Sequence, residues 1–265
     1  DYPIISTNLK YLKQIKKYLK EYGFRKYKIV LEPVKKNTAP AILTTTLTKS
    51  IPNNQPLLFL SSDHLIDNVA LFNKSINKNK KYLTEDNIFV FGVKPTMPST
   101  EFGYFLTKKL SKNIDRVSMF VEKPKRLAAK RIIKKKGYWN SGIFFARKDS
   151  IINNYKLFQS NIYKKCLISF NKAKIKKNIY FLNKTSFSKI SSLSFDKAIL
   201  EKTKKINSIK LNIYWSDLGS WKEILKMYDK NKNKYFTKKN VFHRPWGKYT
   251  NLFKGKNFLI KELYV

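Results

Sequence analysis

Continuous apolar runs alternate with amphipathic stretches along the first part of the chain. The runs lack a polar face, which is typical of strands buried on both sides in a parallel sheet; they cover residues 27–31, 56–64 and 87–93. Between them, apolar residues at helical spacing predict a helix from an N-cap at Asn8 to about Tyr22. Further helices are predicted to begin near Ala39 or Pro40 and near Asp67. Strands and helices in this alternation predict a doubly wound α/β sheet.

The second part of the chain continues the alternation less regularly. Strands are predicted at 117–124, 138–146 and 206–212, with helices at 127–136, over much of 148–205, and at 221–228. Residues 94–105 contain two prolines and Gly103, so we predict a loop that could lie over a ligand. The Lys- and Asn-rich stretch 229–240 is predicted to be a linker.

The composition indicates a globular protein. The chain has 265 residues, of which 42% are hydrophobic. No apolar run reaches the roughly 20 residues that span a bilayer, and no signal peptide opens the chain, so no membrane partner is expected. Cys166 is the single cysteine, which excludes an internal disulfide and fits a reducing compartment. We therefore expect a cytoplasmic protein, with Cys166 as a packing residue rather than a nucleophile.

The net charge of +39 raises the question of nucleic-acid binding, since Lys and Arg neutralise phosphates. Only six of the 56 basic residues are Arg, and the lysines are scattered through every segment. Arg has the geometry that bidentate phosphate and guanine contacts prefer, so this composition favours solvated lysine faces over a binding surface. No nucleic-acid partner is expected, and a basic nucleic-acid binder is kept as the alternative from another class.

Polar clusters follow several of the predicted strands, where ligands bind in open parallel sheets. They lie at residues 32–40, 62–64 and 140–142. Two carboxylates from distant segments, Asp63 and Asp217, suit a hard oxygen-preferring ion such as magnesium (Mg²⁺) when phosphates supply other ligands. Either acid alone is more commonly a helix cap. No HExxH, paired CxxC, G-x-S-x-G or Walker motif is present, which disfavours most hydrolase and zinc-site interpretations.

A set of short motifs occurs in a recognisable order: LEPVKKNTAPAI, SSDHLI, FGVKPTMP, FVEKP, YWNSGIF, SFDKAILEKT, WSDLGSW and RPWGKY. In this order they resemble the bacterial mannose-1-phosphate guanylyltransferases that carry a C-terminal isomerase-like cupin domain, over about residues 1–249. The resemblance implies a Rossmann-like, GT-A-like nucleotidyltransferase fold with a mostly parallel sheet flanked by helices. It also implies the substrates GTP and mannose 1-phosphate and the products GDP-mannose and pyrophosphate.

The resemblance assigns residues to the metal and the sugar phosphate. Asp63 and Asp217 would hold Mg²⁺, and Lys123 would bind the sugar phosphate as a point charge. Glu122 would accept hydrogen bonds from sugar hydroxyls, and Gly103 would allow close backbone approach to the mannose. The catalytic residues implied are Asp63, Lys123 and Asp217, and the sugar-phosphate residues are Gly103, Tyr104, Glu122, Lys123 and Asn140.

The loop after the strand at 27–31 would form the wall of a guanine pocket. Glu32 could accept from the N1 and amino donors of guanine, and the backbone of Asn37 and Thr38 could approach the base or ribose. Pro33 and Pro40 would stiffen the loop and reduce the ordering cost of binding. Without the resemblance, a plain turn with a helix cap at Asn37 or Thr38 is the simpler interpretation. The nucleotide residues implied are Glu32, Pro33, Asn37, Thr38, Ala39 and Ser62.

Departures from the family pattern limit these assignments. The glycine-rich opening GGxGTRLWPLS is absent, so we expect a chain truncated at both ends, with the first strand and glycine-rich loop missing and the fragment inactive alone. The expected domains are a nucleotidyltransferase domain at 1–228, a linker at 229–240 and the start of a cupin domain at 241–265. Residues 100–103 depart from the usual Thr-Gly-Tyr-Gly, so another hexose 1-phosphate is kept as an alternative. A regulatory subunit and a homo-oligomer are also left open.

Overall fold

A computed structural model describes residues 2–219, which fall into two compact units. Of the described residues, the first unit comprises 2–61 and 68–213, and the second comprises 62–67 and 214–219. The predictions for residues 221–228, 229–240 and 241–265 lie outside the described residues.

Strands and helices alternate through the first unit, and two short strands lie in the second. The strands are β1 (Ile4–Asn8), β2 (Lys28–Glu32), β3 (Pro56–Phe59), β4 (Leu65–Ile66), β5 (Ile88–Val93), β6 (Tyr104–Ser111), β7 (Ile114–Val121), β8 (Tyr138–Arg147), β9 (Lys174–Lys176), β10 (Ile179–Phe181), β11 (Ile206–Leu211) and β12 (Trp215–Ser216). The helices are α1 (Leu12–Glu21), α2 (Thr38–Thr46), α3 (Val69–Lys80), α4 (Arg126–Lys134), α5 (Lys148–Phe158), α6 (Ser160–Asn171) and α7 (Lys184–Ser188).

A four-stranded sheet with the order β1-β2-β10-β9 contains the first predicted strand. The pairs β1–β2 and β2–β10 are parallel, whereas β9 is antiparallel to β10. Helix α1 connects β1 to β2, and its Leu19 packs with Ile29, Leu31 and Ile179 in one apolar cluster. This β-α-β connection brings the carboxyl ends of β1 and β2 to the same edge of the sheet.

A six-stranded sheet has the order β3-β8-β5-β11-β7-β6. Its central pair β5–β11 is parallel, and antiparallel strands flank that pair on both sides. Every residue of β5 is buried, as its continuous apolar sequence predicts. The main apolar core includes Phe144 of β8, Tyr155 of α5 and Phe195, whose aromatic rings pack together.

Several predicted elements are confirmed with small shifts of their boundaries. The N-cap at Asn8 precedes a short 3-10 turn that leads into α1, and the side chain of Asn8 accepts a hydrogen bond from the Lys10 N–H. The helices predicted near Ala39, near Asp67 and at 127–136 correspond to α2, α3 and α4. The strands predicted at 27–31, 87–93, 138–146 and 206–212 correspond to β2, β5, β8 and β11.

The prediction of a strand at 56–64 buried on both faces of a parallel sheet is wrong. Strand β3 ends at Phe59, its residues are partly buried, and Leu60 is 55% exposed. The physical reason is its position, since β3 is an edge strand that pairs antiparallel with β8 alone. An apolar run alone does not distinguish such an edge strand from a central one.

Six of the described strands were not predicted from the sequence. Strand β1 lies before the expected helix, and β6 follows the loop that the prolines indicated. Strands β9 and β10 interrupt the region expected to be helical, and the two-residue strands β4 and β12 are too short to show a pattern. Strand β6 begins with the buried Tyr104 and Phe105 but ends in exposed residues, so it has no continuous apolar run. Among the described residues, no helix combines the length and apolar character needed to span a bilayer.

Candidate functional site

Asn140 projects from an irregularity in β8 inside the first unit. The pairing of β8 with β5 shifts register between Val90 and Gly92, opposite the segment that runs from Asn140 to Phe144. Gly142 within this segment has a φ of 70°, a conformation that glycine adopts without a steric penalty. Bulges of this kind redirect a side chain out of the regular pleat. The sequence Asn-Ser-Gly thus allows the strand to become irregular at this point. The irregularity explains how the polar Asn140 fits in the middle of an apolar strand.

Gly103, Glu122 and Asn140 come together at one point. A Cβ atom on Gly103 would lie 2.5 Å from Oε2 of Glu122, 3.3 Å from Cβ of Asn140 and 3.6 Å from its Nδ2. The carbonyl of Gly103 accepts a 2.8 Å hydrogen bond from the Asn140 backbone N–H. These three predicted sugar-side residues therefore form a single polar cluster, which we call the sugar-side cluster, and the absence of a side chain at 103 leaves room for the Glu122 carboxylate.

Lys123 and Tyr104 border this cluster in different ways. Lys123 is exposed and has a φ of 47°, so the chain turns sharply just after β7 and directs a cation outward. Tyr104 is fully buried, and its hydroxyl donates a 2.9 Å hydrogen bond to the Ser99 carbonyl. The Tyr104 side chain consequently supports the loop before β6 from inside the core, and its role at the sugar phosphate stays a prediction.

Asp196 belongs to the same cluster but was not among the predicted site residues. The Asn140 Nδ2 donates a 2.8 Å hydrogen bond to the Asp196 Oδ1. Burial and the neighbouring Asp196 raise the pKa of Glu122 to about 7, with Lys123 acting in the opposite direction. Burial also raises the pKa of Asp196 to about 6. The charge of Asp196 thus opposes ionisation of Glu122, and that of Glu201 opposes ionisation of Asp196.

Glu32 lies at the carboxyl end of β2, beside the end of the neighbouring parallel strand β1. Its Oε1 accepts a 2.7 Å hydrogen bond from the Ser6 hydroxyl, and its backbone carbonyl accepts one of 2.9 Å from the Asn8 amide. Burial raises the pKa of Glu32, while the bond from Ser6 counteracts that shift. Ser6 was missed because the strand that carries it, β1, was not predicted. An adjacent cleft of about 290 Å³ is lined by Thr7, Asn8, Tyr11, Glu32, Val34, Lys35, Lys36, Asn37, Thr38 and Ala41.

The loop between Glu32 and α2 is fixed by its own capping bonds. Asn37 has a φ of 67°, and its Oδ1 accepts a 2.8 Å hydrogen bond from the Thr38 N–H, so the cap interpretation of this segment holds. Ala39 is fully buried, and its carbonyl accepts a hydrogen bond from the Tyr155 hydroxyl at 2.7 Å. Asn37 and Thr38 therefore line the cleft, whereas Ala39 anchors the loop from below.

A segment at residues 193–201, which we call the bridging segment, contacts both regions of the first unit. At its start, the Phe195 N–H donates to the Thr38 hydroxyl at 2.8 Å, and the Ala39 N–H donates to the Leu193 carbonyl at 3.0 Å. At its end, Glu201 accepts a 3.3 Å hydrogen bond from the Glu122 N–H. One short stretch of chain thus connects the loop beside Glu32 with the sugar-side cluster.

Asp63 and Asp217 occur together in the second unit. Strands β4 and β12 pair antiparallel, with Ser216 opposite Leu65, so one further step of this register places Asp217 opposite His64. The His64 pKa is lowered by burial, and both Asp63 and Asp217 counteract that shift electrostatically. Both carboxylates therefore act on one imidazole at the same end of the ribbon. Their predicted proximity to Glu32 stays a prediction.

Hydrogen bonds of Asp67 and Asp217 stabilise the ends of this ribbon. The Asp67 carboxylate accepts a 3.0 Å hydrogen bond from the Tyr214 N–H, and the Asp67 N–H donates to the Tyr214 carbonyl at 3.2 Å. The Asp217 Oδ1 accepts from the Gly219 N–H at 3.1 Å, which leaves further carboxylate lone pairs for a cation. Within residues 2–219, no group of three or more acidic, His or Cys side chains could form a metal site by itself.

Two sheets with helices between their strands, together with polar clusters at strand ends, give the first unit an α/β architecture with a candidate ligand site. The family described as nucleotidyl transferase matches residues 2–234, and the chain belongs to this family. The predicted nucleotidyltransferase fold is thereby confirmed.

Named relatives share much of the chain. A mannose-1-phosphate guanylyltransferase of Salmonella montevideo is 34% identical over 90% of this chain and 52% of its own length. The RfbM mannose-1-phosphate guanylyltransferase of Salmonella typhimurium is 31% identical over 91% of this chain and 51% of its own. A crystal structure of mannose-6-phosphate isomerase from Helicobacter pylori matches with a TM-score of 0.74 and 28% identity, over 82% of this chain and 84% of that one. The chain spans about half the length of the curated relatives.

Proposed function

We propose that the protein containing this chain joins GTP and mannose 1-phosphate into GDP-mannose and pyrophosphate. The observation that carries the proposal is the sugar-side cluster, in which a carboxylate and an amide surround a glycine next to an exposed lysine. A sugar phosphate needs hydroxyl acceptors, an amide donor and a cation in one place. The similarity to guanylyltransferases over most of the chain supports the choice of this reaction.

In this reaction a phosphate oxygen of mannose 1-phosphate attacks the α-phosphorus of GTP. The bond from that phosphorus to the oxygen that bridges it to the β-phosphorus breaks, and pyrophosphate leaves. Two anions must approach each other in line, so catalysis consists mainly of positioning and charge neutralisation. Lys123 is proposed to neutralise the sugar phosphate. Glu122 and Asn140 are proposed to accept from and donate to the sugar hydroxyls, with Gly103 giving the sugar close access to the backbone.

The cleft beside Glu32 is proposed to bind the guanine base. Its volume of about 290 Å³ is at the lower end of the range for small-molecule sites, which suits a base and part of its ribose. The ionised carboxylate of Glu32 would accept from the N1 and amino groups of guanine, while the backbone of Asn37 and Thr38 would approach the base or ribose. Adenine lacks this donor pair, so the arrangement favours GTP. Roles for Pro33, Ala39 and Ser62 near the nucleotide stay predictions.

Asp63 and Asp217 are proposed to hold a magnesium ion. The donors fit, since Mg²⁺ is commonly bound by one or two carboxylates together with substrate phosphates and water. When bound, the ion would neutralise phosphate charge as pyrophosphate departs. The cytoplasmic location and a homo-oligomeric state remain predictions.

A substrate matrix on the full-length protein tests the proposal. Pyrophosphate release is measured with GTP, ATP, UTP and dTTP, each combined with the 1-phosphates of mannose, glucose and fucose, in the presence of Mg²⁺. The proposal expects the highest kcat/KM for GTP with mannose 1-phosphate. A preference for another sugar would identify a nucleotidyltransferase for a different hexose 1-phosphate. Absence of turnover, together with DNA retention that falls steeply with salt, would instead support the nucleic-acid alternative.

A further inference from the structure

The motif SFDKAILEKT contains Asp196, an acid to which none of the proposed steps assigns a role. Residues Asp196–Leu200 form a π-helical turn. Such turns are rare in proteins as a whole, but many of those that occur lie at functional sites. The Glu201 N–H donates to the Asp196 carbonyl, which is the i to i+5 bond of such a turn. An α-helix places residues three and four apart on one face, whereas this wider turn stacks residues five apart. As a result, Asp196 and Glu201 both reach the sugar-side cluster.

Asp196 determines which way the Asn140 amide faces. A carboxylate only accepts hydrogen bonds, so the group of Asn140 that lies 2.8 Å from Asp196 Oδ1 must be its NH₂. The opposite end, Oδ1, accepts from the Gly142 N–H at 3.3 Å. One hydrogen of the NH₂ group points at Asp196, and the other remains to donate elsewhere. The Nδ2 atom lies 3.6 Å from the position that a Cβ atom on Gly103 would occupy, and the Glu122 Oε2 lies 2.5 Å from the same position.

Building on the proposed function, we propose that Asp196 is a positioning residue for the sugar phosphate. Its carboxylate holds the Asn140 NH₂ group in the orientation that donates to a sugar hydroxyl, next to the Glu122 carboxylate beside Gly103. The hydroxyl that receives the Asn140 hydrogen bond can itself donate to Glu122. Asp196 therefore acts through two side chains of the cluster without touching the substrate.

The charges around Glu122 give this proposal a pH signature. Its surroundings contain two acids, Asp196 and Glu201, and two bases, Lys123 and Lys197. Burial and then Asp196 are the two largest causes that raise the Glu122 pKa to about 7. Asn140, Glu201 and Lys123 act on the Asp196 pKa, and the charge of Asp196 in turn raises the pKa of the buried Tyr155. Removing the charge of Asp196 removes a repulsion, so the Glu122 pKa falls toward its ordinary value.

Two substitutions separate the two effects. Asp196→Asn keeps an oxygen that can accept from Asn140 but loses the charge, whereas Asp196→Ala loses both. The matched control is Asn154→Ala, because Asn154 is 6% exposed and its amide donates a 2.8 Å hydrogen bond to the Ser150 carbonyl of its own helix. KM for each substrate, kcat and the pH profile are measured on the full-length protein with GTP and mannose 1-phosphate, or with whichever sugar phosphate the wild type prefers.

Asp196→Ala is expected to raise KM for the sugar phosphate about tenfold, equivalent to about 1.4 kcal/mol, with KM for GTP unchanged. Asp196→Asn is expected to keep KM within about threefold at pH 8, where Glu122 is ionised. It should also shift the acid limb of kcat/KM for the sugar phosphate to lower pH by roughly half a unit or more. Asn154→Ala should change neither quantity, even if it lowers thermal stability.

Failure of this inference differs from failure of the proposed function. An active wild type whose Asp196→Asn variant keeps the acid limb in place, with sugar-phosphate KM unchanged in Asp196→Ala, overturns the positioning role while the function stands. A wild type inactive with every sugar phosphate overturns both. If Asp196→Ala does not fold, the pH profile of Asp196→Asn decides alone.

Discussion

Gly103→Ala tests the geometry of the sugar-side cluster most directly. The new Cβ atom would lie 2.5 Å from the Glu122 Oε2, whereas an ordinary van der Waals contact begins near 3.4 Å. The carboxylate must therefore retreat by about 0.9 Å, or the loop must shift by a similar distance. Since the clashing atom is the end of a flexible side chain, the retreat costs little folding energy. The main effect is therefore on catalysis, because the Glu122 carboxylate moves relative to the proposed sugar.

The size of the effect follows from this displacement. A misplacement of about 1 Å at a catalytic site can lower the rate by about 100-fold, equivalent to about 2.7 kcal/mol of barrier. We expect Gly103→Ala to lower kcat/KM for mannose 1-phosphate by roughly 10- to 100-fold, while the unfolding free energy changes by less than about 1 kcal/mol. Initial rates of pyrophosphate release, measured at varied sugar phosphate and saturating GTP, give the first quantity. Thermal unfolding gives the second.

Two further variants make the interpretation specific. Gly23 follows the C-cap of α1 and has a φ of 71°, and a Cβ there would meet no atom within 4 Å. Gly23→Ala should therefore cost about 1 kcal/mol of stability through backbone strain and leave kcat/KM unchanged. Glu122→Asp has a shorter side chain, so combining it with Gly103→Ala should cost less than the sum of the two single changes. A Gly103→Ala enzyme within about threefold of the wild-type kcat/KM would refute the reasoning.

Three other predictions concern the metal, the base and the cluster's ionisation. Asp217→Asn should lower kcat by more than about tenfold with little change in thermal stability, whereas Asp86→Asn, at an exposed ion pair, should not; turnover within about tenfold of wild type would contradict the metal role. Glu32→Gln should reduce the preference for GTP over ATP in kcat/KM by about tenfold or more, and an unchanged ratio would exclude Glu32 from base recognition. Because the folded-state pKa values of Glu122 (about 7) and Asp196 (about 6) are raised, the stability they contribute is present at low pH and lost as pH rises from about 4 to 7. The double variant Glu122→Gln/Asp196→Asn should flatten that part of the plot of unfolding free energy against pH, and a slope identical to wild type would disprove the shifts.

The buried strands could be predicted because their burial appears directly in the sequence. Strand β5 is buried at every position and consists of one apolar run, so periodicity alone identifies it. Strand β3 has an equally apolar sequence, but its edge position is decided by which strands pair with it, and pairing is a long-range property. Strand β6 was missed for the opposite reason. Half of its residues are exposed, and its lysines interrupt the apolar pattern that would indicate a strand.

The site divides in the same way. Gly103, Glu122 and Asn140 could be named because short motifs carry them, but their meeting at one point depends on a register shift in β8 that has no local signal apart from Gly142. Asp196 lies inside a quoted motif, yet its role depends on a π turn, which sequence propensity does not predict. The hydrogen bond between Ser6 and Glu32 could not be predicted from the sequence, because it joins two strands that α1 separates along the chain.

The bridging segment has a thermodynamic consequence for the affinities of the two proposed ligands. Leu193 and Phe195 in its first part are hydrogen bonded to Ala39 and Thr38. Asp196 and Glu201, which follow, are hydrogen bonded to Asn140 and Glu122. A ligand that restrains either end also restrains the other, so the second ligand meets a partly ordered partner. Such coupling is reciprocal: if the proposed nucleotide raises the affinity for the proposed sugar phosphate by some factor, the sugar phosphate raises the affinity for the nucleotide by the same factor.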